Sequence, residues 1–136
     1  MRQVQSEITI LNAVQTTGAG SKIYVGDFRH VDINIAAAGM GGGDTIAIKI
    51  QGSSSQSAPN FDAAKTISNE WDYTQCIDSE DGSSIDGDTG ITFSASDDLR
   101  KLIVNTDGLM WITVNVISIS DAVNTSCSAK ATLYND

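Results

Sequence analysis

The one histidine of this 136-residue chain, His30, is the first place to look for a general base. In the extended text Phe28-Arg29-His30-Val31-Asp32, alternation puts His30 on the side of Phe28 and Asp32, opposite Val31 and Ile33. A Ser-His-Asp site is recognised by geometry rather than by sequence order. No serine here sits in a Gly-x-Ser-x-Gly elbow, so His30 reads as a surface or interface histidine. Gly18-Ala19-Gly20-Ser21-Lys22 has the composition of a phosphate loop. Its spacing is wrong, and it leads into Ile23-Tyr24-Val25 rather than into a helix, so it reads as a turn. The strongest acidic cluster runs from Asp78 to Asp88, where Asp78, Glu80, Asp81, Asp86 and Asp88 fall within eleven residues. Hard cations take several carboxylate and carbonyl oxygens, so calcium is the ion such a loop would hold. The spacing is not that of an EF-hand and no glutamate closes the loop, so it reads as a solvated acidic loop with no metal, and calcium is the alternative. No pair of acids is singled out for glycoside hydrolysis.

Cys76 and Cys127 both stand in strand-like text and match no metal motif. They read as small buried apolar residues, with a disulfide open to them if their strands are neighbours. No cofactor is expected, and with no motif for catalysis the chain is expected not to be an enzyme. The net charge of −9, from 17 acidic and 8 basic residues, argues against nucleic acid and against an anionic membrane surface. No apolar run approaches the roughly 18 residues of a membrane helix. The first residues lack the apolar core of a secretion signal.

What must position these residues is a series of strands. Alternating runs rich in Ile, Val and Thr recur at short intervals, and helical periods are nearly absent. The predicted strands are 7–14, 22–25, 28–37, 45–52, 71–77, 89–95, 98–105, 110–120 and 126–134. The clearest is the last but one, with Ile112, Val114 and Val116 on one face. Asn34, Lys49 and Gln51 are expected to point outward from their strands. Residues 61–68 are ambiguous, with room for a short helical turn. Asp107-Gly108 reads as a hairpin turn joining the two strands beside it, and Gly39 to Gly43 as a flexible tip. Eight or nine strands, each with one apolar face, predict an all-β antiparallel sandwich, with a closed barrel as the alternative. The expected domain is 7–136, preceded by a polar tail, 1–6.

Strand edges tend to pair with other chains, and the single proline, Pro59, lies in a loop and blocks none of them. An assembly role follows, with candidate contact residues Met1, Arg2, Gln3 and Val4 in the tail, Met40 in the glycine-rich tip, and Trp111. Trp111 falls on the face opposite Ile112 and is either a contact within the fold or an interface anchor.

The order of these segments is also familiar. Leu11 to Ser21 runs on to Val25-Gly26-Asp27-Phe28-Arg29-His30-Val31. Then come Ala47 to Ser53, Leu99 to Val104, and Trp111-Ile112-Thr113-Val114-Asn115-Val116. This resembles the small β-sandwich virion proteins of tailed bacteriophages over most of the chain, departing at Ser53 to Asn69. The resemblance implies a jelly-roll-like sandwich made in the host cytoplasm and placed on the virion. It implies a capsid decoration (cement) protein, with the major capsid protein and further copies of itself, as dimer or trimer, for partners. A tail, connector or fibre component, or a receptor- or glycan-binding module, are the other roles it leaves open.

Overall fold

A computed structural model describes the backbone of residues 4–135, with side chains from Glu7 on. Among the described residues there is no helix. Twelve strands form two antiparallel sheets packed face to face. They are β1 (Val4–Val14), β2 (Gly18–Ala19), β3 (Ile23–Tyr24), β4 (His30–Ala38), β5 (Thr45–Ser53), β6 (Asp72–Tyr73), β7 (Cys76–Asp78), β8 (Ser84–Ile85), β9 (Ile91–Ser94), β10 (Asp98–Asn105), β11 (Trp111–Ile119) and β12 (Ser126–Tyr134). The first sheet has the order β1-β12-β4-β10-β7-β8. The second has the order β2-β11-β5-β6, with β3 also on β11 and β9 also on β5.

Period-two alternation builds the core. Val31, Ile33 and Ile35 of β4, Leu102 and Val104 of β10, and Ala129, Ala131 and Leu133 of β12 point inward from the first sheet. Ile46, Ile48 and Ile50 of β5 and Ile112, Val114 and Val116 of β11 meet them from the second. Each fully buried Ile or Val contributes about 1.5 to 3 kcal/mol relative to an exposed one. Cys76 and Cys127 belong to this core and are free thiols rather than a disulfide. Burial pushes both thiols up to about 11, helped at Cys76 by the charge of Asp78.

Several boundaries differ from the sequence expectation. The described residues form twelve strands rather than eight or nine, because β2 and β8 form where a turn and a loop were expected and the run 71–77 divides into β6 and β7. Gly18-Ala19 is thus a strand on β11, not a turn. β1 begins at Val4, inside the segment read as tail, with Val4 opposite Tyr134; Met1, Arg2 and Gln3 lie outside the described residues. The single strand expected over 71–77 is two strands in different sheets: β6 pairs with β5, and β7 with β10. Asp107-Gly108 is not a hairpin. It links β10 in the first sheet to β11 in the second. The turn closes from Leu109 N to Thr106 O (2.9 Å), and only Gly108 (φ +81°) has a positive φ. That is a type II turn, which splays its flanking strands instead of pairing them.

The largest departure is residues 54–71. They form no helical turn but fold back across the outside of the second sheet. Gln51, expected to face solvent, is fully buried beneath them. Its Nε2 donates to the Phe61 carbonyl (2.9 Å) and its Oε1 accepts from Asn115 Nδ2 (3.0 Å). Asn69 clamps the segment, donating to the Asn60 and Ala64 carbonyls and accepting from Asn60 N. Asp62 accepts from Ala19 N (2.7 Å), and Phe61 and Trp71 are buried against the sheet. Gln51→Leu fits the space but strands the Phe61 carbonyl and the Asn115 amide. It is expected to cost about 1 to 3 kcal/mol in urea unfolding. Proteolytic cleavage within 54–71 should precede cleavage elsewhere in that variant.

Candidate interaction surface

The two outer faces of the sandwich are not alike. That of the second sheet is roofed by residues 54–71. Among the described residues, nothing crosses that of the first sheet. Strand register lays out this open face in rows. Tyr134, His30 and Asn105 lie side by side, then Thr132, Asp32 and Ile103, then Lys130, Asn34 and Lys101, then Ser128, Ala36 and Leu99. Ile77 extends the second row beside Ile103. Leu99 (63% exposed) and Ile77 (40%) are large apolar side chains left in solvent.

His30 stacks on Tyr134 with ring centroids 4.8 Å apart. Its Nε2 lies 4.0 Å from the Asp32 carboxylate, beyond hydrogen-bond reach, although Asp32 itself is buried. Lys130 pairs with Glu7 of β1 (3.5 Å), while Lys101 makes no ion pair among the described residues. Two lysines against Glu7 and Asp32 make this face close to neutral in a chain of net charge −9. A flat, near-neutral face with aromatic and aliphatic side chains has the character of a protein contact surface.

The acidic loop is dispersed. Asp78 points inward at the end of the core and pairs with Arg100. The Glu80 N–H and the Arg100 guanidinium hold its carboxyl below the usual carboxylate range. Asp81 is held down by the Ser83 side chain and N–H, and Asp86 accepts from Asp88 N (2.8 Å). These are loop-closing contacts. Among the described residues no three carboxylates, thiols or imidazoles converge on one point, and Asp78, Glu80, Asp81, Asp86 and Asp88 are spread along the loop.

Instead Asp86 and Asp88 meet Asp72, Tyr73, Gln75 and Ser84 around an open polar cleft of about 450 Å³. Lys65 is bound to Asp72 at 2.6 Å, and Lys49 lies 4.6 Å from the Tyr73 ring centroid. This grouping is hidden in the sequence, where 71–77 reads as one strand, because the break that turns Asp72 and Tyr73 towards Asp86 and Asp88 leaves no local signal.

Of the expected contact residues, the described ones (Val4, Met40 and Trp111) lie on different parts of the sandwich. Met40 lies among the loops at one end, its N–H bound to Asp97 Oδ1 (2.7 Å) and its side chain partly buried against the core. Trp111 is half-buried on the outside of the second sheet, edge-on to Tyr24 at 5.4 Å, its indole N–H on the Gln56 carbonyl. Val4 is on the edge of the first sheet.

No protein-family model matches the chain, and no curated protein sequence matches it. Solved structures do. The SPBc2 prophage-derived protein YomS superposes with a TM-score of 0.66 at 14% identity, over 99% of this chain and 96% of YomS. The PBSX exported protein XepA superposes with a TM-score of 0.68 at 14% identity. That match takes in 98% of this chain but only 38% of XepA. The chain therefore shares its fold with the whole of YomS and with one part of XepA. These neighbours are phage-derived proteins of the same β-rich architecture.

Proposed function

We propose that this chain is a phage structural protein that works by binding rather than by catalysis, and that the open face of its first sheet is the surface it binds with. The observation that carries this is the asymmetry of the sandwich. One outer face is covered over Gln51 and its neighbours by the chain's own residues 54–71, and the other is left open, near-neutral and set with Leu99, Ile77 and the His30–Tyr134 stack. In its finer form the role is capsid decoration: the face seats on major capsid protein and opposes separation of neighbouring subunits. The phage origin of the structural neighbours supports the setting.

Quantitative mass spectrometry of purified particles tests this. A copy number comparable to that of the major capsid protein is the expected result, and Leu99→Glu with Lys101→Glu should reduce particle-bound protein at least ~10-fold. A few copies per particle would move the protein to the tail, connector or fibre. A second reading rests on XepA being named an exported protein: the chain then acts off the particle. Absence from particles with recovery in the soluble lysate would favour it.

A further inference from the structure

We infer that Asp32 is a socket for an arginine side chain carried by the protein this chain binds. This rests on the open face of the first sheet being the contact surface, and it names the group the partner brings to it. Asp32 stands on the outward side of β4, between the inward-facing Val31 and Ile33. Outward residues of an open sheet face are ordinarily solvated, yet Asp32 is only 8% exposed. Among the described residues no hydrogen bond reaches its carboxylate, and no lysine or arginine nitrogen lies within 4.0 Å of it. A largely buried carboxylate with neither kind of partner is unfavourable to the fold.

The register shows why the chain does not complete this site itself. Glu7, Thr132, Asp32, Ile103 and Ile77 form one row across five strands. The flanking residues of Asp32 are thus a hydroxyl and an alkyl side chain. His30, two positions back, is stacked on Tyr134, and its Nε2 stays 4.0 Å away, outside hydrogen-bond range. Lys101 and Lys130 flank Asn34, one row further on, and Lys130 is turned to Glu7.

The missing group is a cation, and the surroundings favour a guanidinium. A guanidinium is planar and weakly hydrated, and it donates to both carboxylate oxygens at once. An ammonium is a strongly hydrated point charge and gains less from a mostly dry site. Ile103 and Ile77 supply an apolar track leading to Asp32, with strands roughly 4.8 Å apart. That track suits the methylene stem of an arginine, which would cover both isoleucines and end on the carboxylate. A basic group from the partner also complements a chain of net charge −9.

Three measurements at about pH 8, above the ordinary range of an imidazole, test the socket. Asp32→Asn keeps the shape and removes the unpaired charge, so it should melt at or above the temperature of the unaltered chain. A fall of more than about 3 °C would show that Asp32 serves the fold, and would overturn the inference. N-acetyl-arginine amide, added to about 100 mM, should shift the Asp32 carboxyl carbon resonance saturably, and N-acetyl-lysine amide much less. No saturable shift, or equal shifts from both, would overturn it. On particles, Asp32→Asn should reduce bound protein at least ~10-fold. If Asp32→Asn stays bound while Leu99→Glu with Lys101→Glu is lost, the socket fails and the binding face stands. If that double variant stays bound while the arginine probe still shifts Asp32, the binding face fails and the socket stands.

Discussion

Asp78→Ala is expected to lower the unfolding free energy by about 3 kcal/mol at neutral pH. Asp78 is nearly inaccessible, and it meets Arg100, itself mostly buried, where the first sheet closes over the core. The carboxylate accepts from the Arg100 guanidinium and from the Glu80 N–H (3.0 Å). Arg100 Nε is already buried without a partner. Removing Asp78 therefore leaves a largely buried cation without its one ion-pair partner among the described residues. Exchanging both residues for apolar ones of similar volume, Asp78→Leu with Arg100→Met, should recover most of the loss. Asp81→Ala, on the exposed side of the same loop, should leave the unfolding midpoint nearly unchanged.

The pair also shapes the acid limb of stability. Folding lowers the pKa of Asp78 below its ordinary 3.8, through the Glu80 N–H and then Arg100. The folded state therefore releases this proton more readily than the unfolded chain. Its stabilisation is fully present above about pH 4 and is lost as pH falls through the lower folded value. Guanidinium midpoints measured from pH 6 down to pH 2 should fall less steeply below pH 4 in Asp78→Ala than in the unaltered chain. Parallel curves would show that Asp78 titrates as an ordinary surface acid.

Gly39→Ala is expected to cost about 2 to 4 kcal/mol, and Gly42→Ala nearly nothing. Gly39 has φ +73°, and a Cβ there would lie 2.0 Å from the Asn124 carbonyl oxygen. Backbone, not a movable side chain, is in the way, so the β4–β5 and β11–β12 loops would have to part. At Gly42 no atom lies within 4 Å of the position a Cβ would take. Thermal melts of the two variants separate a packed glycine from a permissive one. Equal melting temperatures would mean that this loop end gives way freely. The run from Gly39 to Gly43 reads in sequence as a flexible tip. In the fold it is tied down: Met40 N is on Asp97, Gly41 N on Asp44 Oδ2 (2.8 Å), and Ala95 N on the Asp44 carbonyl (2.9 Å).

The contrast between those glycines shows what a sequence carries. Alternation is a local property of consecutive side chains, so it marked which of Val31, Ile33, Ile35, Ile46, Ile48, Ile50, Ile112, Val114 and Val116 face a core. Their burial follows from hydrophobicity and the two-residue period alone, and with it the all-β sandwich class. Turn chemistry is local too, and Asp107-Gly108 does reverse the chain. Whether a reversal pairs its two strands or sends them to opposite sheets depends on partners remote in sequence. β10 finds β4 and β7, and β11 finds β5, β2 and β3.

The same limit hid the surface. Gln51 lies on the outward side of its strand, as alternation requires. Only the return of residues 54–71, whose hydrogen bonds from Gln51 to Phe61 and from Asn69 to Asn60 span nine or more positions, turns outward into buried. The acids of the Asp78–Asp88 loop are close in sequence, but Asp78 is drawn inward by Arg100 across the ladder, and Asp86 and Asp88 face Asp72 instead. Composition and period thus determined the fold class, the inward faces of β4, β5, β11 and β12 and the burial of both cysteines. Which strands pair, which face the chain covers for itself and which it leaves open were decided by tertiary structure, because those outcomes rest on contacts between residues that no local pattern connects.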